Sequence, residues 1–264
     1  MRMEETPVVI WCGGKGTRMR EETEYKPKPM VEIGGKPILW HIMKIYSHYG
    51  FHNFVLALGY KGNMIREYFA NYDLMNSDVT LKLGSKEVQI PRNGHDEHDW
   101  NVTLVDTGQD AMTGARLKRV QKYVGNSTFM VTYGDAVTKE NIRELFDFHL
   151  KQKKQGKIAT VTGIHPTSRF GEMQVDGDTV TSFIEKPKLS AWVNGGFYVL
   201  EQDIFKYLND SDDCIFEKKP LEKLTNERKL AIYQYDGFWH SMDTYKDALD
   251  LNELWEKTPA WKVW

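Results

Sequence analysis

The run Pro7–Cys12, PVVIWC, is short, apolar and unbroken, and it reads as a strand buried on both faces. Beyond it the pattern turns helical. Ile38, Leu39, Ile42, Met43, Ile45 and Tyr46 recur on one face, Pro37 suits a first turn and Gly50 a C-terminal cap. Residues 54–58 predict a second strand, ended by Gly59, and residues 63–71 a second helix. Strands are expected at 79–83, 103–105 and Phe129–Tyr133, and an amphipathic helix at 141–152. Alternation of strand and helix predicts an α/β fold with a mainly parallel, doubly wound sheet. The second half changes character. Residues 157–164, 172–175, Thr179–Ile184 and 196–200 read as short strands joined by turns, with helices at 216–225 and 243–255. A more antiparallel portion is expected there. No internal repeat or low-complexity segment interrupts the chain.

Composition narrows the picture. A length of 264 residues fits one large α/β domain with an appendage, or two small domains. Lys and Arg number 35 against 37 Asp and Glu, so bulk electrostatic binding to nucleic acid or an anionic membrane is not expected. A local cationic pocket for a phosphorylated small molecule remains open. The two cysteines, Cys12 and Cys214, are far apart and match neither a zinc spacing nor a disulfide framework, which points to a reduced, cytoplasmic setting. The opening residues carry acids, and their apolar run is too short for a secretory leader or a membrane span. Trp239, Trp255, Trp261 and Trp264 crowd the C-terminus, which either packs back on the core or forms a subunit contact. Residues 84–101 read as a solvated loop. A metal cluster of Asp96, Glu97, His98 and Asp99 is the alternative there.

Two stretches carry candidate chemistry. Gly13-Gly14-Lys15-Gly16-Thr17-Arg18 follows the first strand. Closely spaced glycines let successive N–H groups face one anion, and an arginine adds a bidentate phosphate contact. The spacing is neither a Walker A loop nor the dinucleotide fingerprint. Ten residues on, Lys26-Pro27-Lys28-Pro29-Met30 holds Lys28 in a stiff, non-helical segment, suited to stabilising phosphoryl charge.

In combination these stretches are more specific. GGKGTR, KPKPM and GGKPILWHIM resemble the N-terminal signature of the sugar-phosphate nucleotidylyltransferases. The likeness continues through GYKG (59–62), WNVTLVDTG (100–108), MTGARLKRV (112–120), TYGD (132–135), SRFGE (168–172), FIEKPK (183–188), NGGF (194–197) and MDT (242–244). Within that family the chain looks most like the branch that joins CTP to glucose 1-phosphate. The resemblance implies a three-layer, Rossmann-like fold with a mixed sheet and a small β-rich sugar-binding part. It implies a single domain over 1–264, with a nucleotide half to about residue 150, and homo-oligomers, trimers or hexamers. The reaction implied is CTP plus α-D-glucose 1-phosphate giving CDP-glucose and pyrophosphate, by Mg²⁺-assisted in-line attack. The substrate phosphate is itself the nucleophile, so positioning and charge neutralisation carry the rate.

Roles follow position by position. Trp11, Cys12, Gly13, Gly14, Lys15, Gly16, Thr17 and Arg18 would line the nucleotide, with Arg18 on the leaving phosphates. Lys28 would neutralise the α-phosphate. Gly134 and the stretch Thr107, Ala111, Thr113 and Arg116 would hold base and triphosphate, Arg116 by direct contact. Asp135 and Asp243 would bind Mg²⁺. Tyr133, Glu185, Lys186, Asn194, Gly195 and Gly196 would hold the sugar phosphate, with Lys186 on its phosphate. Arg18, Lys28, Asp135, Lys186 and Asp243 form the expected catalytic set. Four positions depart from the family: Cys12 for a usual alanine, Lys15 for an apolar residue, Ala111 for a hydroxyl residue, and Lys139 for an aspartate. They bear on substrate choice more than on chemistry. The alternatives are the same chemistry with another sugar 1-phosphate or with UTP or dTTP, and a non-catalytic regulatory subunit that binds nucleotide sugars.

Overall fold

A computed structural model of the chain describes residues 3–14, 16–85, 87–90, 95–168 and 170–264. Lys15, Arg169 and parts of the 84–101 stretch lie outside the described residues.

The buried run forms β1 (Pro7–Cys12), all six residues of which are buried. After the glycine loop come α1 (Arg20–Thr23), a small hairpin of β2 (Glu32–Ile33) and β3 (Lys36–Pro37), and α2 (Ile38–His48). Next are β4 (Asn53–Leu58), α3 (Gly62–Ala70), α4 (Tyr72–Asn76), and an exposed hairpin of β5 (Thr80–Lys82) and β6 (Glu87–Gln89). Then follow β7 (Asn101–Asp106), α5 (Thr113–Arg119), β8 (Phe129–Tyr133), β9 (Ala136–Thr138) and α6 (Ile142–Lys153). The remainder comprises β10 (Ala159–Ile164), β11 (Glu172–Asp176), β12 (Thr179–Ile184), β13 (Val193–Leu200), α7 (Lys219–Asn226), β14 (Leu230–Tyr235), β15 (Trp239–Ser241) and α8 (Tyr245–Lys257).

One seven-stranded sheet runs through both halves in the order β14-β10-β13-β8-β1-β4-β7. Every neighbouring pair is parallel except the two made by β13. The expected α/β class with a mixed sheet is therefore observed. The second half differs from its expected antiparallel character. Its strands β10 and β14 extend the parallel sheet, and the antiparallel part is β13 with the exposed arm β11–β12. The strand expected at 79–83 belongs to the β5–β6 hairpin, outside the main sheet.

Two apolar layers sandwich the sheet. On one face Val8, Ile10, Met130, Phe197 and Val199 pack with α2, α6 and the C-terminal segment. On the other, Val9, Val131, Tyr198 and Leu200 pack with α5 and α7. The C-terminal tail packs back on its own chain: Trp261 is fully buried, with Phe238, Trp255 and His41 around it. Burial drives the His41 imidazole down to about 4, so it sits neutral and bonds the Ile33 carbonyl. In the 95–99 stretch Glu97 is buried and ion-paired with Lys44 at 3.0 Å, and His95 contacts Asp73 at 2.7 Å. That part is thus pinned to α2 and α4 instead of being fully solvated, because a buried lysine needs a carboxylate beside it.

Candidate active site

Parallel neighbours β1 and β8 deliver their C-terminal ends side by side, where open α/β sheets carry their ligands. β1 gives the glycine loop. β8 leads to Gly134 and Asp135. Gly134 N–H donates to the Trp11 carbonyl at 3.1 Å, and a Cβ at Gly134 would stand 2.8 Å from that oxygen, so the position requires glycine. Asp135 is followed by β9, which pairs antiparallel with β15 in the register Ala136↔Ser241. Met242 N–H donates to the Asp135 carbonyl at 2.8 Å. Asp135 and Asp243 therefore leave one ribbon at the same end.

Lys28 reaches this end from the segment that follows α1. Pro27 is extended, a single 3₁₀ turn spans Lys28–Met30, and Val31 N–H closes on the Lys28 carbonyl. Lys28 Nζ donates to Asp135 Oδ2 at 2.7 Å and to Asp243 Oδ1 at 2.9 Å. Burial alone would lower the Lys28 ammonium, but the charge and hydrogen bond of Asp135, joined by those of Asp243, raise it. The Asp243 carboxyl is pushed up by burial and, more strongly, held down by Lys28, the Ser241 hydroxyl and Arg18. Arg18 is exposed, with Nη1 3.8 Å from Asp243 Oδ1. Lys28, Asp135, Asp243 and Arg18 are thus brought together as the motifs implied.

The nucleotide side is built around Arg116, which is buried. Its Nη1 donates to the carbonyls of Leu58 and Gly108 and to Thr107 Oγ1, and its Nη2 to the carbonyls of Gly13 and Gln109. The guanidinium fork therefore ties the glycine loop to the 107–109 turn. A Cβ on Gly13 would stand 2.1 Å from Arg116 Cζ, so this close approach depends on glycine. Gly14 faces open space, Gly16 takes a left-handed φ of 60°, and Thr23 Oγ1 donates to the Gly16 carbonyl at 2.9 Å. Thr107 Oγ1 donates to the Leu58 carbonyl, and Ala111 is buried beside α5. Cys12 is buried, which pushes its thiol far up and leaves it unreactive.

The acceptor side mixes packed and exposed parts. Asn194 Oδ1 accepts from Gly196 N–H at 2.8 Å, and its amide donates to the Tyr198 hydroxyl. Gly195 lies against the Thr162 carbonyl, 2.9 Å from where its Cβ would be, and Gly196 has φ 83° with the Tyr133 ring against it. Glu185 and Lys186 follow β12 and are exposed, with Lys186 at φ 49°. Among the described residues, neither makes a contact with the Lys28 centre. Between α7 and the β14–β10 edge an open groove of about 660 Å³ reaches this side, bordered by Trp192, Asn194, Glu217 and Ile232.

Glu217 carries no sequence signal and lies among the candidate site residues. Thr113 Oγ1 donates to its Oε2 at 2.6 Å, and the Tyr133 hydroxyl donates to its Oε1. Trp11 packs on the same group, 5.0 Å from Tyr133 and 5.6 Å from Phe216 between ring centres. The carboxylate so joins α5 of the nucleotide side to β8 of the acceptor side. Asp247 likewise carries no sequence signal. Its Oδ2 accepts from the N–H groups of Asp243 and Thr244, fixing Asp243 at the start of α8. His240, Asp247 and Asp250 also lie close enough to share a cation, and the cap role of Asp247 accounts for its own place there.

The family model for nucleotidyl transferases matches residues 7–258. The chain is similar to the glucose-1-phosphate cytidylyltransferase of Salmonella typhi, 48% identical over 259 residues, which is 97% of this chain and 98% of that protein. It is 28% identical to the mannose-1-phosphate guanyltransferase of Saccharomyces cerevisiae over 95% of this chain and 66% of that one. Among solved structures, HddC from Yersinia pseudotuberculosis superposes with a TM-score of 0.67 at 23% identity, covering 95% of this chain and 99% of that one. An apo UDP-glucose pyrophosphorylase gives 0.68 at 17%, covering 96% and 98%. The two structures bear on the fold alone.

Proposed function

Since the chain belongs to the nucleotidyl transferase family, we propose that it transfers a cytidylyl group from CTP to α-D-glucose 1-phosphate, giving CDP-glucose and pyrophosphate. The relative at 48% identity over nearly the whole chain supports the choice of CTP and glucose 1-phosphate. The observation that carries the chemistry is the Lys28 ammonium between Asp135 and Asp243, at the strand end beside the glycine loop.

The acceptor's phosphate oxygen forms a bond to the α-phosphorus of CTP, and the bond from that phosphorus to the β-phosphate oxygen breaks. No proton has to be removed from a phosphate dianion, so no general base is needed. The chain's work is to align two anions and offset their repulsion. The Gly13, Gly14 and Gly16 backbone faces the triphosphate, and Arg18, exposed beside Asp243, takes the leaving phosphates. Lys28 offsets charge at the α-phosphate. Lys186, exposed at the end of the β11–β12 arm, meets the acceptor phosphate, and Asn194, Gly195 and Gly196 present backbone to the hexose.

A divalent cation suits the pair of carboxylates. Their oxygens already converge on one positive atom, and an all-oxygen set from two carboxylates plus phosphate oxygens is what Mg²⁺ prefers. Asp135 and Asp243 would hold it, and when bound it would neutralise phosphate charge. Residues 1–264 are read as one domain, since a single sheet threads both halves. A homo-oligomer, trimer or hexamer, and a cytoplasmic setting belong to the same reading. Among the described residues no helix is long and apolar enough to cross a membrane.

The test is pyrophosphate release with Mg²⁺ across CTP, UTP, dTTP and ATP, each with several sugar 1-phosphates. Dominant turnover with CTP and glucose 1-phosphate is expected. Dominance of another pair would overturn the substrate assignment and direct attention to Ala111 and Lys139. Absence of turnover in every pair, from folded protein, would favour the regulatory subunit instead.

A further inference from the structure

One buried ionisable group has no part in the chemistry above. Glu140 lies at the junction of β9 and α6 and is fully buried. Its Oε1 accepts from Thr162 Oγ1 of β10 at 2.7 Å. Its Oε2 has no hydrogen-bond partner, and no ion pair reaches the carboxyl, among the described residues. The ionisable groups that feel it are Tyr46 and Tyr49 from α2 and its end, and Tyr233 and Tyr235 from β14. Glu144 of α6 acts on two of the same phenols, Tyr49 and Tyr233. A carboxylate with one hydroxyl donor in such surroundings is costly to ionise, and a neutral acid is not.

Its place in the fold gives that proton a consequence. The β9–β15 ribbon carries Asp135 and Asp243 at one end. At the other end Thr138 Oγ1 donates to the Phe238 carbonyl, Lys139 N–H donates to the same carbonyl, and Glu140 N–H donates to Thr138 Oγ1. Two bonds fasten this ribbon to the strands of the acceptor side. Trp239 Nε1 donates to the Gly195 carbonyl at 2.8 Å, and Glu140 holds Thr162, whose carbonyl lies against Gly195.

We propose that Glu140 is a positioning residue: bonded to Thr162 it clamps the Asp135–Asp243 ribbon to the acceptor strands, and once ionised its buried Oε2, which has no donor among the described residues, draws water into the junction and opens it even though the Thr162 hydroxyl still donates to Oε1. What the ribbon does rests on the function proposed above; the clamp itself does not. Burial pushes the Glu140 carboxyl from 4.5 up to about 8. An acid raised on folding gives stability that is complete below its unfolded value and is lost as pH rises through its folded value. The window is therefore from about 4.5 to about 8.

Glu140→Gln keeps the shape and removes the proton equilibrium. Thr162→Val removes the partner and leaves the acid. Melting temperature and the KM for glucose 1-phosphate would be measured for these and the unaltered protein between pH 5 and pH 9. The unaltered protein is expected to lose on the order of 5 °C more than Glu140→Gln across that range. Its KM is expected to rise about tenfold above pH 8, the rise being absent in Glu140→Gln. Thr162→Val should show the raised KM already at pH 7. Coincident melting curves for the unaltered protein and Glu140→Gln would overturn the proposal. So would unaltered kinetics in Thr162→Val at every pH. Should no substrate pair turn over, the functional reading falls, and the melting curves alone still decide the clamp.

Discussion

The nucleotide side and the acceptor side of the site are built differently. On the nucleotide side every strand end is locked: Arg116 satisfies five protein oxygens, and Gly13 and Gly134 let backbone approach backbone. On the acceptor side only the floor is locked, through Asn194, Gly195 and Gly196. Its cationic element, Lys186, rides on a two-stranded arm whose Phe170, Met173, Val175 and Phe183 are exposed. A two-stranded hairpin is marginal by itself in water. The difference teaches that the first surface is built by the chain's own fixed contacts, whereas Lys186 of the second has no contact with the Lys28 centre among the described residues. On the function proposed above, fixed backbone on one side would keep down the cost of ordering the reacting phosphates, and the exposed arm on the other would leave the sugar a way in and out.

Four substitutions would break or sharpen that contrast. Arg116→Met should have the largest effect, about 3 kcal/mol or more of stability, because buried carbonyls lose their donors. Chemical denaturation measures it, and nucleotide affinity should fall with it. Lys28→Ala should leave the fold intact and lower turnover about 10²-fold, roughly 2.7 kcal/mol of transition-state stabilisation. Steady-state pyrophosphate release reads that loss, and near-normal kcat would detach Lys28 from the chemistry. Glu217→Gln weakens the tie between Thr113 and Tyr133 and should cost about 2 kcal/mol, divided between melting temperature and both KM values. Lys186→Ala should be smallest: the KM for glucose 1-phosphate rises about tenfold, near 1.4 kcal/mol, with no change in melting temperature. A large loss of stability in Lys186→Ala would mean the arm is locked and the contrast false.

The locked side was legible in the sequence because locking needs special residues. An apolar run with glycines at its end can scarcely be read as anything but a buried strand feeding a tight loop. Prolines on both sides of Lys28 announced a stiffly held cation. The β9–β15 ribbon was not legible, since three-residue strands have no period to detect. Residues 230–235 were missed as a strand for a related reason. Half-exposed at the sheet edge, their alternation is imperfect. Glu217 sits in a charged helix-leading stretch that looks like any solvated surface. Its role exists only through Thr113 and Tyr133, distant in sequence. The motifs also pointed to Arg116 as a direct nucleotide contact, and its five protein acceptors show how much of its work is building the loop that would receive the base. Glu185 and Lys186 were legible as a motif, but their exposure was not, because a motif carries no statement about the state of the arm that bears it.

The most direct test of the account is single-turnover pyrophosphate release from CTP and glucose 1-phosphate by the unaltered protein and by Asp135→Asn, with folding checked by circular dichroism. The account expects one rapid exponential release from the unaltered protein and a rate lower by about 10²-fold or more in the variant at unchanged fold. Equal rates from the two proteins would contradict it, since the Lys28, Asp135 and Asp243 cluster would then not be where the transfer occurs.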